Sequence, residues 1–261
     1  MLNIANTYFR NLRKLSNADF KTLCLTALNR GKIRQDIING DVYIVENVLD
    51  REMVSRILQI ALDEKRSPAS STAIIEGIDN IYYISNNLKA KIGDYTAIDR
   101  SWYFFPWNVD QYSMLKDLQL IFNNVILLNN QDPDVVVKNT PKDGLVQRFH
   151  MINYPPHSGE ISLHIDPICV SEVNSGIYLT QFGVDYTQGG FYVLNSNGVR
   201  INLDAEVALG DLILFYPGLP HGVLSVIPPS DKIMSKGRFF FNMNLIQSHE
   251  SPDRLTSQGL D

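Results

Sequence analysis

Apolar and polar positions change their rhythm once along this chain. Up to about residue 144 the apolar residues recur mainly at helical spacing; beyond it they fall in short alternating runs broken by turn residues. Ser16 and Asp19 form a capping-box pattern before Phe20, Leu23, Cys24, Ala27 and Leu28, and Gly31 is placed to stop that helix. A strand follows over 41–49. Asp50 then caps a helix with Met53, Val54, Ile57, Leu58, Ala61 and Leu62 on one broad face. Residues 67–72 read as an exposed loop, 81–84 and 102–107 as aromatic-rich runs, and 113–127 as a third helix with Leu115, Leu118, Ile121, Phe122 and Val125 inward.

The polar stretches 129–134 and 139–144 separate this part from a strand-rich region. There, Arg148, His150, Ile152 and Tyr154 share one strand face, although polar residues in such a pattern more often face solvent. Gly189-Gly190 turns into Phe191-Tyr192-Val193-Leu194, and Asn197-Gly198 marks a hairpin before 199–203. The last strand sets Arg238, Phe240 and Asn242 against Phe239, Phe241 and Met243. Short strands separated by turns predict a sandwich or barrel. The whole reads as an α+β protein of one integrated domain: a helical and mixed part over 1–144, a β core over 145–246, and a polar tail over 247–261.

With 44% hydrophobic residues in 261, the chain has ample material for a core. The net charge of −5, without a long basic run, argues against nucleic acid as a partner. No stretch approaches the roughly 20 apolar residues that a membrane helix requires, and the first ten residues do not have the pattern of a secretory signal. A cytoplasmic, reducing setting is the expectation. Cys24 and Cys169, the two cysteines, offer no disulfide framework. Cys24 reads as core and Cys169 as a loop residue near the candidate site.

Candidate chemistry enters with Leu163-His164-Ile165-Asp166-Pro167. On an extended strand, His164 and Asp166 project to the same side while their neighbours pack on the other. A distant histidine, His221, follows the turn-strand-turn segment 210–218. Two imidazoles and one carboxylate binding one face of an ion, with the opposite positions open, suit a non-haem Fe(II) that must also bind co-substrate and O2. His157 and His249 lack a comparable partner in the sequence.

The ordered set Asn153-Tyr154-Pro155-Pro156, His164-x-Asp166, Gly189-Gly190-Phe191, Gly210-Asp211, His221-Gly222-Val223 and Arg238 resembles the Fe(II)/2-oxoglutarate-dependent dioxygenase superfamily, over roughly residues 145–246. The resemblance implies a double-stranded β-helix, or cupin-like jelly roll, with flanking N-terminal helices. It implies iron held by His164, Asp166 and His221, and 2-oxoglutarate as co-substrate with its distal carboxylate on Arg238. Arginine suits that task because its planar fork grips a carboxylate through two charge-assisted bonds. It further implies an O2-dependent oxidoreductase that releases succinate and CO2, most simply a hydroxylase. Asp166 argues against halogenation, whereas desaturation and cyclisation start from the same hydrogen abstraction. The sequence departs from the family pattern two residues after Arg238, where Phe240 stands in place of a frequent serine; Tyr154 is then the candidate second partner of the co-substrate.

A small-molecule substrate, an amino acid or biosynthetic intermediate, is expected from the size and acidic charge of the chain. The competing readings are a cupin-like iron enzyme that does not use 2-oxoglutarate and a non-catalytic jelly-roll binding module.

Overall fold

The structure, a computed structural model, describes residues 7–69, 75–76, 82–86, 90–92, 95–230 and 236–260. Part of the loop expected at 67–72, Ile81, the 231–232 portion of the loop before Arg238 and the first six residues lie outside the described residues. In chain order the elements are β1 (Leu12–Ser16), α1 (Asn17–Cys24), α2 (Ala27–Ile38), β2 (Val42–Glu46), α3 (Arg51–Leu62), β3 (Tyr82–Ser85), β4 (Ala90–Ile92), β5 (Tyr95–Ile98), β6 (Arg100–Phe104), α4 (Leu115–Leu128) and α5 (Pro133–Val136). There follow β7 (Leu145–Tyr154), β8 (Glu160–Ile165), β9 (Asn174–Tyr178), β10 (Gln188–Leu194), β11 (Arg200–Asn202), β12 (Leu212–Phe215), β13 (His221–Ile227), β14 (Arg238–Gln247) and β15 (Gln258–Gly259).

Two sheets result. One runs β1-β2-β12-β9-β14-β7-β6-β3, the other β11-β10-β13-β8-β5-β4, with β15 paired to β8. Strands β7 to β14 pass back and forth between them, which is the double-stranded β-helix expected from the motif order. Strands from before residue 145 extend both sheets: β6 pairs β7 and β5 pairs β8.

The local reasons are legible in the caps. The Ser16 hydroxyl accepts from the Asp19 amide at 3.1 Å, Asp50 Oδ1 accepts from the Met53 amide at 2.8 Å, and each starts its helix where expected. Gly31 does not stop a helix. It lies inside α2, which Thr26 restarts by accepting from the Asn29 amide. One interior glycine costs only about 1 kcal/mol, too little to end a capped, tertiary-packed helix. The actual stop is Asn39-Gly40, where Gly40 takes φ +99°. With this division Leu28 is left exposed instead of packed.

Alternation on β7 and β14 builds the interior. Phe149, Met151, Phe239, Phe241 and Met243 face the helices and pack with Val54, Ile57, Leu118 and Phe122. Arg148, His150, Ile152, Tyr154, Arg238, Phe240 and Asn242 face the other way, into a cavity between the sheets. Full burial of one such apolar side chain stabilises by about 1.5–3 kcal/mol. This helix-backed layer is thus what holds the cavity wall rigid. No helix among the described residues is long and apolar enough to cross a membrane.

Candidate metal centre and its cavity

His164 closes β8 and His221 opens β13, and the antiparallel register sets the two directly opposite each other. Asp166 follows one residue after β8. Its amide is fixed by the Pro217 carbonyl at 2.9 Å, so the residues just before His221 also orient the carboxylate. One ligand atom from each of His164, Asp166 and His221 lies within 4.8 Å of the others. The His164 and His221 Nε2 atoms stand 3.7 and 3.5 Å from the Asp166 oxygens.

Each imidazole is held by its other nitrogen. His164 Nδ1 donates to the Ser162 carbonyl and His221 Nδ1 to the Leu219 carbonyl, both at 2.8 Å. That contact requires the Nδ1–H tautomer, which leaves the Nε2 lone pair of each ring turned to the common point. Tyr95 stacks on His164 at 4.6 Å, and Phe215 meets His221 edge-on at 5.0 Å, which restricts both rings. The carboxylate is braced as well: Asn174 Nδ2 donates to Oδ2 at 2.7 Å and Ser257 Oγ to Oδ1 at 2.6 Å.

The charge states match a cation site. Burial, together with the neighbouring His221, lowers the His164 pKa to about 4, so the ring is neutral near pH 7. For Asp166 burial pulls upward, but its contacts with His221, His164 and the Ser257 hydroxyl hold it well below the usual carboxylate range. Two imidazoles and one carboxylate, all turned toward one point, fit a divalent iron with part of its coordination sphere left for other ligands. The donor set expected from the sequence is therefore brought together.

The centre lines a cavity of about 320 Å³. Tyr154 and Arg238, opposite each other in the β7–β14 register, line it too. Arg238 is not a free cation, however. Its Nε and Nη2 donate to Asp204 Oδ2 and Oδ1 at 2.6 and 3.1 Å, both side chains being buried. Tyr186 adds its hydroxyl to Asp204 Oδ2 at 2.6 Å. Burial would lower the Arg238 pKa, but the Asp204 carboxylate and the Tyr186 and Tyr178 phenols raise it, so the guanidinium stays charged. Tyr154, Tyr178 and Phe240 offer their ring faces to the guanidinium, with Phe240 nearest at 4.9 Å. Phe240 thus packs against Arg238 where a serine would have added a donor.

Sequence reasoning missed Asp204, Ser257, Asn174 and Tyr95. Asp204 had one readable signal, Gly190: with φ +95°, a Cβ there would stand 2.1 Å from Asp204 Oδ2, so the glycine pair makes room for the carboxylate. His249 is engaged elsewhere, with Glu76 at 2.6 Å. Cys169 lines the cavity but is exposed and not part of the ligand group, while Cys24 is core. Of the aromatic run, Tyr103 lines the cavity while Trp102 and Phe104 pack in the core. Arg148 and His150 also face the cavity, contrary to the solvent-facing orientation expected for polar strand residues.

No protein-family model matches the sequence, and no curated protein is detectably similar to it. Solved structures do match the fold. A 2OG-Fe(II) oxygenase family protein from Caulobacter crescentus superposes with TM-score 0.50 at 14% identity, over 90% of this chain and 86% of that one. The fold is that of the Fe(II)/2-oxoglutarate oxygenases. A prolyl hydroxylase from Trichoplax adhaerens, in complex with a hypoxia inducible factor peptide fragment, superposes with TM-score 0.53 at 12% identity, over 88% and 93% of the two chains. A full-length Neurospora crassa protein in complex with alpha-KG and thymine gives TM-score 0.53 at 11% identity, over 92% and 87%.

Proposed function

We propose that the chain is a non-haem Fe(II)/2-oxoglutarate-dependent oxygenase that hydroxylates an unactivated carbon of a small molecule. The observation that carries this reading is the convergence of two Nδ1-anchored imidazoles and one braced carboxylate at the wall of an interior cavity. A binding module has no need of that set. Fe(II) with 2-oxoglutarate and O2 would supply the oxidising chemistry, with succinate and CO2 as co-products.

The residues of the chain contribute position and electrostatics. His164, Asp166 and His221 would hold the iron on one face and leave the cavity side open. The carbonyls of Ser162 and Leu219 keep both imidazoles in the ligating tautomer, and Asn174 and Ser257 prevent the carboxylate from rotating away. Tyr154 and Arg238 would receive the distal carboxylate of 2-oxoglutarate. Asp204 takes two of the five guanidinium N–H groups, so the arginine acts there by oriented hydrogen bonds rather than by surplus charge. A solvent-facing Arg238 would have supplied charge but no fixed direction.

Support for the small-molecule class comes from the cavity volume, which lies at the lower end of ligand-sized cavities, and from the thymine complex of one structural neighbour. An amino acid or biosynthetic intermediate fits this size, whereas the peptide complex of the other neighbour sets the competing class.

The Asp204–Arg238 pair favours one alternative, an iron oxygenase of the same fold that does not use 2-oxoglutarate. Aerobic incubation of iron-loaded protein with 2-oxoglutarate separates the two. Slow succinate formation that disappears in Asp166→Ala supports the proposal. Tight iron binding without any succinate, with and without a panel of amino acids and pyrimidines, supports the alternative.

A further inference from the structure

Beyond Ile152 and Phe240, on the side away from Tyr154 and Arg238, the β7–β14 face of the cavity becomes polar. The register aligns Tyr103, His150 and Asn242 in one row across β6, β7 and β14, and Arg148 opposite Asn244 in the next. His150 is only 8% exposed, and neither of its ring nitrogens has a hydrogen-bond partner. Arg148 Nε is also buried without a partner. A buried polar group left unpaired costs about 1–3 kcal/mol, so three such atoms on one cavity wall demand a reason.

Tyr103 organises both residues. Its ring stacks on the His150 imidazole at 4.1 Å and lies under the Arg148 guanidinium at 5.7 Å. Burial, with the adjacent Arg148 charge, lowers the His150 pKa well below its ordinary value, so the ring is a neutral donor and acceptor.

A charge inventory of the cavity lining singles out Arg148. Arg238 is neutralised by Asp204, and Arg254 stands 3.8 Å from Glu76 Oε1. Asp166 belongs to the metal centre, and Asp99 accepts from Ser101 and Asn86. Among the described residues, no carboxylate pairs with Arg148. Among the described residues the lining therefore presents one uncompensated cation, beside a donor-acceptor ring and an amide.

We propose that Arg148, with His150 and Asn242, is the recognition site for a single carboxylate on the substrate. This rests on the reading of the cavity as the substrate chamber of an iron oxygenase, and it narrows the substrate class to monocarboxylates that span from the iron to the row of His150 and Arg148. One guanidinium matches one carboxylate through two parallel charge-assisted bonds. A phosphate dianion would bring a second charge that nothing in the lining offsets.

The test uses the metal-free protein with isotope-labelled histidine, titrated without 2-oxoglutarate, itself a dicarboxylate. The probes are α-amino acids, 2-hydroxy acids and N-acetyl amino acids, each beside its primary amide, and inorganic phosphate. The readout is the ring signals of His150, identified by their loss in His150→Gln. Carboxylate probes are expected to move these signals, with the amides and Arg148→Gln each weakening binding about tenfold or more and Arg148→Lys restoring part of it. Melting curves of the two Arg148 variants confirm that each is folded. Amides binding as well as acids, Arg148→Gln without effect, phosphate binding more tightly than every acid, or no probe moving the signals would each overturn the assignment.

Because the titration contains neither iron nor co-substrate, the two readings fail separately. Carboxylate-dependent shifts without 2-oxoglutarate turnover would keep the subsite and remove the oxygenase. Turnover without shifts would do the reverse.

Discussion

Replacing Asp204 by asparagine should destabilise the fold and, at the same time, make it responsive to 2-oxoglutarate. Arg238 and Asp204 are essentially inaccessible to solvent and joined by two hydrogen bonds. At an effective dielectric of about 20, opposite charges about 4 Å apart attract by about 4 kcal/mol. Removing one partner of a buried pair typically destabilises by about 3–5 kcal/mol, because the other charge is left buried. Asparagine keeps an acceptor oxygen of similar shape, which places Asp204→Asn near the lower end, about 3 kcal/mol. For a chain of this length that corresponds to a fall in Tm of about 6–12 °C. The assay is thermal unfolding of metal-free protein followed by circular dichroism, with and without 2-oxoglutarate.

If the distal carboxylate of 2-oxoglutarate meets Arg238, the ligand can supply the missing negative charge. Its stabilising increment should then be larger in Asp204→Asn than in the wild type. The double change Asp204→Leu with Arg238→Met should recover much of the loss, since replacing both charges by apolar groups removes the uncompensated charge. An Asp204→Asn protein that melts with the wild type would refute the electrostatic account of the cavity wall. Equal increments from 2-oxoglutarate in both proteins would refute the co-substrate role of Arg238.

Three further outcomes follow from the site geometry. Ser257→Ala and Asn174→Ala, each removing one hydrogen bond to Asp166, should weaken Fe(II) binding about 10–100-fold, measured by anaerobic competition with a chelator, while leaving the melting curve of the metal-free protein nearly unchanged. His164→Ala and Asp166→Ala should remove measurable binding altogether. The third concerns pH: the folded-state pKa of His164 is lowered to about 4 against an unfolded value of about 6.5, so the unfolded chain binds the extra proton first. The His164 contribution to the stability of the metal-free protein should therefore be complete above about pH 6.5 and fall as the pH drops toward 4. Because His150 contributes in the same direction, the check is denaturant titration of the wild type against His164→Gln, and identical slopes across that window would show that the His164 ring is not buried and neutral.

The grouping of His164, Asp166 and His221 was legible because their spacing, an extended run before Pro167 and the turn-strand-turn segment before His221 together place two strand ends side by side. The caps at Ser16 and Asp50 were legible for a similar reason, since both act within four residues. What stayed hidden is non-local. Ser257 reaches Asp166 from a C-terminal segment whose composition suggests only a polar tail, and only the pairing of β15 with β8 brings it there. Asp204 meets Arg238 across 34 positions through the path of β11, which no short-range pattern encodes. Arg148 and His150 carried an ambiguous signal. Their alternation with Phe149 and Met151 shows that the two faces differ, but not which of them is covered, because here both faces of the sheet are, one by helices and one by the second sheet.

The central claim, an iron centre that takes 2-oxoglutarate beside Arg238, is tested most directly by anaerobic visible absorption of the metal-free protein on successive addition of Fe(II) and 2-oxoglutarate. A weak charge-transfer band is expected that requires both additions, is absent in His164→Ala, and needs at least about tenfold more 2-oxoglutarate in Arg238→Ala. Iron binding without a band at any 2-oxoglutarate concentration would contradict it.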